Sequence, residues 1–195
     1  MSEKEKMLNG EMYDPSDEEL VFLRRKCHAL CIKYNQTKEE DSEKRQEILR
    51  KMDIKLAKNV YLQGPIYFDY GCFISFGEGS YANFNLTILD TCPVNIGKHV
   101  LLGTGVTIVT ALHPMKYKER KPFINEKGML TDKEYGKAIT IEDGCWIASN
   151  VTICGGVTIG KNSVIGAGSV VTRDIPANSF AAGNPCKVIT QIDNN

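Results

Sequence analysis

Residues 141–171 read IEDGCWIASNVTICGGVTIGKNSVIGAGSVV and repeat with a period of six. An isoleucine opens each of the first five hexads, Val171 opens the next, and a compact residue follows each isoleucine four positions later. Neither an α-helix nor an alternating strand places β-branched residues at every sixth position, whereas a coil with three flat sides does. The pattern therefore predicts an all-β solenoid with inward columns. These columns contain Ile141, Ile147, Ile153, Ile159 and Ile165, with Cys145, Val151, Val157, Ser163 and Ser169 beside them.

The same period extends, less regularly, towards the N-terminus. It shifts register near Pro93, and residues on both sides of that point keep the spacing of six. We therefore expect further coils before residue 110. The predicted inward residues are Tyr70, Phe76, Ala82 and Ile88 before the shift, and Ile96, Leu102 and Ile108 after it.

Residues 110–137 interrupt the repeat with a charged segment that has no inward column. A segment of this length must leave the coil as a loop, and long ordered loops in compact domains are usually functional. The tail that begins at Arg173 has prolines at turn positions and no hexad column. We therefore predict a solenoid over residues 54–195, with an excursion loop at 110–137 and a C-terminal tail that closes its end.

Residues 1–53 predict an N-terminal α-helical cap. Ser16 and Glu19 form a capping-box pattern, and Thr37 with Glu40 repeats that pattern before a second, charged helix. Neither helix buries its apolar stripe alone, so both are expected to pack on the first coils or on a neighbouring subunit. The stripes contain Leu20, Leu23, Cys27, Leu30, Cys31 and Tyr34 in the first helix, and Ile48, Leu49 and Met52 in the second.

The composition excludes several classes of function. The chain has 24 basic and 24 acidic residues and no basic stripe, which argues against binding nucleic acid or anionic membranes. Its first residues lack an apolar stretch and no window is long enough to span a bilayer, so we expect a cytoplasmic protein. Seven cysteines occur without a CxxC motif, and their apolar surroundings favour packing over disulfides or metal binding.

Few polar side chains are placed to carry chemistry. His113 stands at the root of the excursion, where a rigid coil would hold it, and a neutral imidazole accepts a proton near neutral pH. Asn83 follows the inward Ala82, so strand alternation turns it outward; the alternative is a simple turn asparagine. Of the other two histidines, His28 is expected on the surface of the first helix and His99 at a coil corner.

Several segments resemble the maltose/galactoside O-acetyltransferases. The resemblance covers almost the whole chain, and it implies a left-handed parallel β-helix that uses acetyl-CoA as co-substrate and requires no metal. It also implies a homotrimer with each site between two subunits. The matching segments are MYDPSDEEL, GSYANFNLTILDTCPVNIG, LHPMKYKER, EYGKAITIEDGCWIASNVTI, GVTIGKNSVIGAGSVVTRDIP and AAGNPCKVI.

The same resemblance implies roles for individual residues. His113 matches the general base, and Asn83 matches a residue that helps to position the acceptor. The backbone N–H of Ser149 matches a group that faces the thioester carbonyl. Acceptor-binding positions match Asp14, Asp69 and Glu134, and coenzyme-binding positions match Trp146, Ser149, Ala167, Thr172, Arg173 and Lys187.

This chain also departs from the family pattern. Leu112 stands where relatives commonly have glycine, and Arg173 replaces a frequent lysine, which keeps the charge but changes the contact. The excursion is longer than in the galactoside enzymes.

The sequence therefore predicts direct transfer of an acetyl group from acetyl-CoA to a hydroxyl of a small sugar or glycoside. An N-acetyltransferase or an antibiotic acetyltransferase on the same scaffold is one alternative. A non-catalytic, trimeric CoA-binding scaffold is another. A zinc hydratase on this scaffold would need three converging histidines, which the expected places of His28 and His99 do not provide.

Overall fold

The structure is a computed structural model, and it describes residues 1–193. Three α-helices form the N-terminal cap, and short strands arranged in coils form the rest. The helices of the cap are α1 (Glu3–Leu8), α2 (Glu18–Asn35) and α3 (Ser42–Lys51).

The helix starts differ from those predicted. Asp17 caps α2, because its carboxylate accepts hydrogen bonds from the backbone N of Glu19 at 3.1 Å and of Leu20 at 3.5 Å. A negative side chain at this place also suits the positive end of the helix dipole. Asp41 takes the N-cap position of α3, while Thr37 bonds back to the end of α2. The predicted cap residues Ser16 and Thr37 were therefore wrong, and α1 was not predicted.

Each full coil of the solenoid contains three short strands. The first three coils contain β1 (Lys55–Leu56), β2 (Tyr61–Leu62), β3 (Ile66–Phe68), β4 (Ile74–Phe76), β5 (Tyr81–Ala82), β6 (Leu86–Leu89), β7 (Val94–Ile96), β8 (Leu101–Leu102) and β9 (Thr107–Val109). The excursion contains β10 (Ala111–Leu112), α4 (Tyr117–Arg120), β11 (Phe123–Ile124), β12 (Leu130–Thr131) and β13 (Tyr135–Gly136). The remaining strands are β14 (Ile139–Ile141), β15 (Trp146–Ile147), β16 (Thr152–Cys154), β17 (Thr158–Ile159), β18 (Val164–Ile165), β19 (Val170–Val171), β20 (Ser179–Ala182) and β21 (Lys187–Gln191).

Successive coils stack in parallel and form three sheets. Sheet 1 has the order β1-β4-β7-β14-β17, sheet 2 the order β2-β5-β8-β15-β18-β20-β21, and sheet 3 the order β3-β6-β9-β16-β19. The excursion interrupts the chain but not the stack, because Val94 and Ile96 of β7 pair directly with Ile139 and Ile141 of β14. The antiparallel strand β21 closes the end of sheet 2. The expected left-handed parallel β-helix is confirmed.

The predicted columns form the core. The five isoleucines of the regular hexads and Val171 are all completely buried. Tyr70 is the exception: it is buried, but it packs with Met7, Tyr13 and Leu20 outside the coil. Phe68 takes the neighbouring inward place and pairs with Ile88. A phenol needs a polar partner, and Tyr70 accepts a hydrogen bond from the Arg24 guanidinium at 2.8 Å.

The helical cap packs on the first coils, which was one of the two expected surroundings. Cys27, Leu30, Cys31 and Tyr34 of α2 belong to the same buried cluster as the solenoid interior. All seven cysteines are free, and five of them are buried. No helix among residues 1–193 combines the length and the apolar character needed to cross a bilayer.

The excursion is anchored at its root. Strands β10 and β13 pair antiparallel, with Ala111 opposite Gly136 and Leu112 opposite Tyr135. Gly136 must lack a side chain here, because a Cβ would lie 2.6 Å from the sulfur of Cys92. Beyond this root, β11 and β12 form a hairpin.

Candidate active site

Most of the sequence-predicted site residues lie at two different corners of the triangular coil. Corner 2/3, where the chain passes from sheet 2 to sheet 3, contains Asn83, Ser149 and Ala167. Corner 3/1, where the chain passes from sheet 3 to sheet 1, contains Asp69, Thr172, Arg173 and the whole excursion with His113 and Glu134. One flat side, sheet 3, separates the two corners. His113, the predicted general base, and Asn83, predicted to position the acceptor, are therefore not brought together within one chain.

Corner 2/3 is a continuous ladder of turns. The backbone N of Gly105 donates to Phe84 O, that of Asn150 to Thr104 O, and that of Gly168 to Ser149 O, at 2.8–2.9 Å. These bonds place the turns that contain Asn83, Ser149 and Ala167 above one another.

Asn83 is half-buried at this corner. Its side-chain oxygen accepts a hydrogen bond from the backbone N of Phe84 at 2.7 Å, and its own backbone N donates to Leu102 at 2.9 Å. The amide is thereby fixed as part of the turn, which agrees with the alternative weighed from the sequence. Its Nδ2 group remains as the donor that an acceptor would meet.

The register of the excursion root positions His113. Because Leu112 faces Tyr135 in the antiparallel pair, His113 continues the strand towards the position opposite Glu134. The His113 Nδ1 atom lies 3.4 Å from Asp132 Oδ2. Nitrogen and carboxylate atoms of His113, Asp132 and Glu134 lie within 4.8 Å of one another. The His113 side chain is 47% exposed, so a substrate can reach it.

Tyr13 holds Glu134 in this cluster. The Tyr13 hydroxyl donates to Glu134 Oε2 at 2.6 Å, and the two residues also form an antiparallel backbone bridge. Burial, and then the Glu134 carboxylate, raise the pKa of Tyr13 far above its usual range, so the phenol stays a neutral donor. The N-terminal segment therefore fixes one wall of the site.

A cleft of about 510 Å³ lies beside this cluster. Asp69, Asp132 and Glu134 contribute carboxylates to it, and Arg24 and His28 of α2 contribute cationic or neutral donors. The His28 side chain is exposed, as predicted, but its Nε2 lies 3.4 Å from Asp69 Oδ1. Burial raises the pKa of Asp69, and His28 partly offsets this effect.

Arg24 and Asp132 were missed in the sequence. Arg24 donates to Tyr70 and, at 2.9 Å, to the carbonyl of Pro15. Its spacing of four from His28 puts both side chains on one face of α2, which is a usable signal. Asp132 carries no such signal, because only the pairing of the excursion strands brings it to His113.

Asp14 is engaged by its own chain. Its carboxylate accepts hydrogen bonds from Ser16 Oγ at 2.7 Å, Thr131 Oγ1 at 2.6 Å and Asn125 Nδ2 at 2.9 Å. Burial acts to raise the pKa of Asp14, but these hydrogen bonds together hold it well below its usual range. Asp14 lines an adjoining hollow of about 530 Å³ beside the hairpin and not the cleft that contains Asp69.

The outer face of sheet 2 carries a row of large apolar side chains, here called the sheet 2 ladder. Trp146 is 51% exposed within this row, and the rings of Tyr61 and Tyr81 stack at 6.1 Å. Lys187 begins the last strand of the same sheet. The ladder, in register, is formed by Tyr61, Tyr81, Leu101, Trp146, Val164 and Phe180.

Comparison with known proteins identifies the family. The family model described as the maltose acetyltransferase hexapeptide capping motif matches residues 6–52, and that described as bacterial transferase hexapeptide (six repeats) matches residues 138–173. A galactoside O-acetyltransferase from Lactococcus lactis subsp. lactis is 41% identical over 184 residues, which cover 94% of this chain and 84% of the relative.

Solved structures agree. A maltose O-acetyltransferase from Clostridium difficile 630 superposes with a TM-score of 0.89 at 42% identity, over 100% of this chain and 99% of that one. A hexapeptide-repeat acetyltransferase from Vibrio cholerae O1 biovar eltor, solved in complex with acetyl coenzyme A, gives a TM-score of 0.85 at 33% identity over 100% of both chains. The family resemblance expected from the sequence is thus confirmed, and this chain belongs to the maltose/galactoside O-acetyltransferase family of hexapeptide-repeat acyltransferases.

Proposed function

We propose that this protein transfers the acetyl group of acetyl-CoA directly to a hydroxyl of a sugar or glycoside, with His113 as general base. The observation that carries the proposal is the accessible imidazole of His113 beside Asp132 and Glu134, two carboxylates that line the cleft. Carboxylates and an arginine are suitable partners for the several hydroxyls of a sugar. Family membership supports the acyl-transfer chemistry and the donor.

The reaction requires the protein to position two substrates and to move one proton. His113 takes the proton of the acceptor hydroxyl, and the oxygen of that hydroxyl attacks the thioester carbonyl carbon. The tetrahedral intermediate then expels the CoA thiolate, which receives that proton from the imidazolium. No metal ion and no covalent enzyme intermediate are needed, because the thioester is already activated. Positioning of two substrates contributes roughly 7–11 kcal/mol, and the base about 10²–10⁴-fold.

The donor is assigned to the later coils. The backbone N–H of Ser149 would stabilise the developing oxyanion, and Trp146, Ala167 and Lys187 lie on sheet 2 or at corner 2/3 with it. Thr172 and Arg173 lie at corner 3/1 instead. We propose that one coenzyme A contacts both corners at a junction between two chains.

We propose that the working unit is a homotrimer with each site between two subunits. Transfer requires the acceptor at His113 to meet the thioester at Ser149, and these residues lie at different corners of one chain. A neighbouring copy must therefore present its corner 2/3 to corner 3/1. Such a contact joins two different surfaces, and heterologous contacts close into a ring when the rotation between neighbouring copies closes, which for three copies is a rotation of about 120°. The exposed sheet 2 ladder supplies apolar surface for the assembly.

The reaction is tested by release of free thiol from acetyl-CoA with a panel of sugars, including paired hydroxyl and amino sugars. Turnover with hydroxyl acceptors, and little with amines, supports the proposal. Preference for the amine would favour N-acetylation instead, and CoA binding without turnover on any acceptor would favour a non-catalytic scaffold.

The shared site has its own test. The mass in sedimentation should be close to three times the 21.7 kDa chain. Subunits carrying His113→Ala and subunits carrying Asn83→Ala, each inactive alone, should regain activity when unfolded and refolded together, since about one site in four then has both side chains. Absence of complementation between folded variants would contradict a shared site.

A further inference from the structure

We propose that Asp132 is a positioning residue for His113: its carboxylate fixes the tautomer and orientation of the imidazole that takes the acceptor proton. The inference rests on the proposed role of His113 as general base. Neither the sequence pattern nor any of the comparisons points to Asp132.

The geometry of the pair carries the inference. His113 Nδ1 and Asp132 Oδ2 are 3.4 Å apart, with side-chain exposures of 47% and 30%. At this distance the pair is an ion-pair contact and not yet an aligned hydrogen bond, and contacts of catalytic groups are often long or poorly aligned before substrate binds and tighten afterwards. His113 follows β10, whereas Asp132 follows β12, so the contact joins the two ends of the excursion.

The backbone on both sides of the pair is held. Leu112 is fixed by pairing with Tyr135, and Pro114, on the other side of His113, is buried. Thr131, the neighbour of Asp132, is buried and donates its hydroxyl to Asp14. The two side chains therefore meet because rigid segments present them.

Such a contact selects one tautomer. A carboxylate accepts from Nδ1–H, so the lone pair of the neutral ring is left on Nε2, which becomes the basic nitrogen. After proton transfer, the same carboxylate stabilises the imidazolium. The aspartate of serine-protease triads acts on its histidine in this way.

Other charged groups lie in or near the cleft, and each of them contacts a residue other than His113. Glu134 accepts from Tyr13, Asp69 faces His28, and Arg24 donates to Tyr70. Lys133, between the two acidic residues, lies over the ring of Phe123 at 5.5 Å. Asp132 is the group that faces Nδ1.

Asp132→Asn is the main variant. The asparagine amide has the same shape but no charge, and its NH₂ group is a donor facing the Nδ1–H of His113, which should itself donate. We expect kcat to fall at least about 10-fold, short of the roughly 10⁴-fold loss seen when a buried triad aspartate is replaced. The KM for acetyl-CoA should stay within about two-fold of the wild type, since the donor contacts are elsewhere.

Two further variants separate positioning from structure. Asp132→Glu keeps a carboxylate and should regain part of the lost rate together with the wild-type tautomer of His113. Glu126→Gln removes an exposed carboxylate from the same excursion and should leave both the rate and the tautomer unchanged.

A readout without turnover makes the two proposals independently testable. Long-range proton–nitrogen NMR resolves the tautomers of the three histidines, assigned with single His→Gln variants. Wild-type His113 should carry its proton on Nδ1 when neutral, and Asp132→Asn should change that signal. An unchanged tautomer, or a folded Asp132→Asn variant with the wild-type kcat, overturns the role of Asp132. If the wild-type protein acetylates no acceptor, the proposed function fails, whatever the tautomer shows.

Discussion

Replacing Asp90 by Asn removes a carboxyl group that is completely buried at the end of β6. Asp90 Oδ1 accepts a hydrogen bond from the backbone N of Tyr70 at 2.9 Å, whereas Oδ2 has no partner among the described residues. Burial raises the pKa of Asp90 from 3.8 to about 7, against the lowering effect of the Tyr70 hydrogen bond. The folded protein therefore retains the proton on Asp90 at a pH at which the unfolded chain has lost it.

The sign and size of the effect follow from these two pKa values. A group whose pKa is raised by folding contributes stability that is complete below the unfolded value and is lost as pH rises through the folded one. One pKa unit corresponds to about 1.4 kcal/mol, so the full difference is roughly 4 kcal/mol, of which about 2–3 kcal/mol falls between pH 5 and pH 8. Asparagine keeps the shape of the neutral acid and its acceptor for Tyr70 N–H.

The assay is chemical denaturation of both proteins at pH 5 and pH 8, at one protein concentration because association adds to stability. Relative to Asp90→Asn, the wild type should lose about 2–3 kcal/mol of unfolding free energy between these two values. Taking the difference between the two proteins cancels the contribution of Asp69, whose pKa is also raised by burial. A stability difference that is the same at both pH values would show that Asp90 does not titrate in this range and would refute the reasoning.

Three shorter predictions test the site. His113→Ala should reduce turnover by about 10²–10⁴-fold and leave CoA affinity, measured by calorimetry, nearly unchanged; most of the activity surviving between pH 6 and pH 9 would remove His113 from the mechanism. Asp69→Ala should cost about 1–3 kcal/mol in acceptor binding, which would raise the KM for the sugar only. Arg173→Ala should raise the KM for acetyl-CoA only. If steady-state kinetics gave the reverse result, the two substrates would have been assigned to the wrong parts of the protein. Trp146→Glu places a charge in the sheet 2 ladder and should shift the sedimenting species towards the monomer; an intact, active oligomer would show that the ladder stays exposed in the assembly.

The scaffold was predictable because its information is local and repeated. Ile141 and Ile165 face inward for the same reason, so each hexad supports the interpretation of the others. Tyr70 kept the spacing but left the column, because the polar requirement of its hydroxyl outweighed the period. Ser16 and Asp17 both suit an N-cap, and a sequence offers no means of choosing between adjacent candidates.

The site was predictable only in part, because its contacts are long-range. His113 was predicted as a site residue from its place at the root of the excursion. Its neighbour Asp132 belongs to a segment without any repeat, and only the pairing of β10 with β13 brings the two together. The separation of His113 from Asn83 by one side of the coil likewise follows from strand order in three dimensions and not from the residue types.

The direct pairing of β7 with β14 across the excursion has a consequence for how this chain tolerates change. Val94 and Ile139 are 45 positions apart, whereas Ile74 and Val94 in the preceding pair of coils are 20 apart. Because chain-closure entropy grows only with the logarithm of length, the longer connection costs roughly 0.7 kcal/mol more. The length of the segment between Pro114 and Leu130 should therefore be able to change at little cost in chain-closure entropy, provided that His113, Thr131, Asp132 and Glu134 are kept. The stack of coils therefore tolerates changes in the excursion, where we propose that the acceptor binds, without changes in the coils to which we assign the donor.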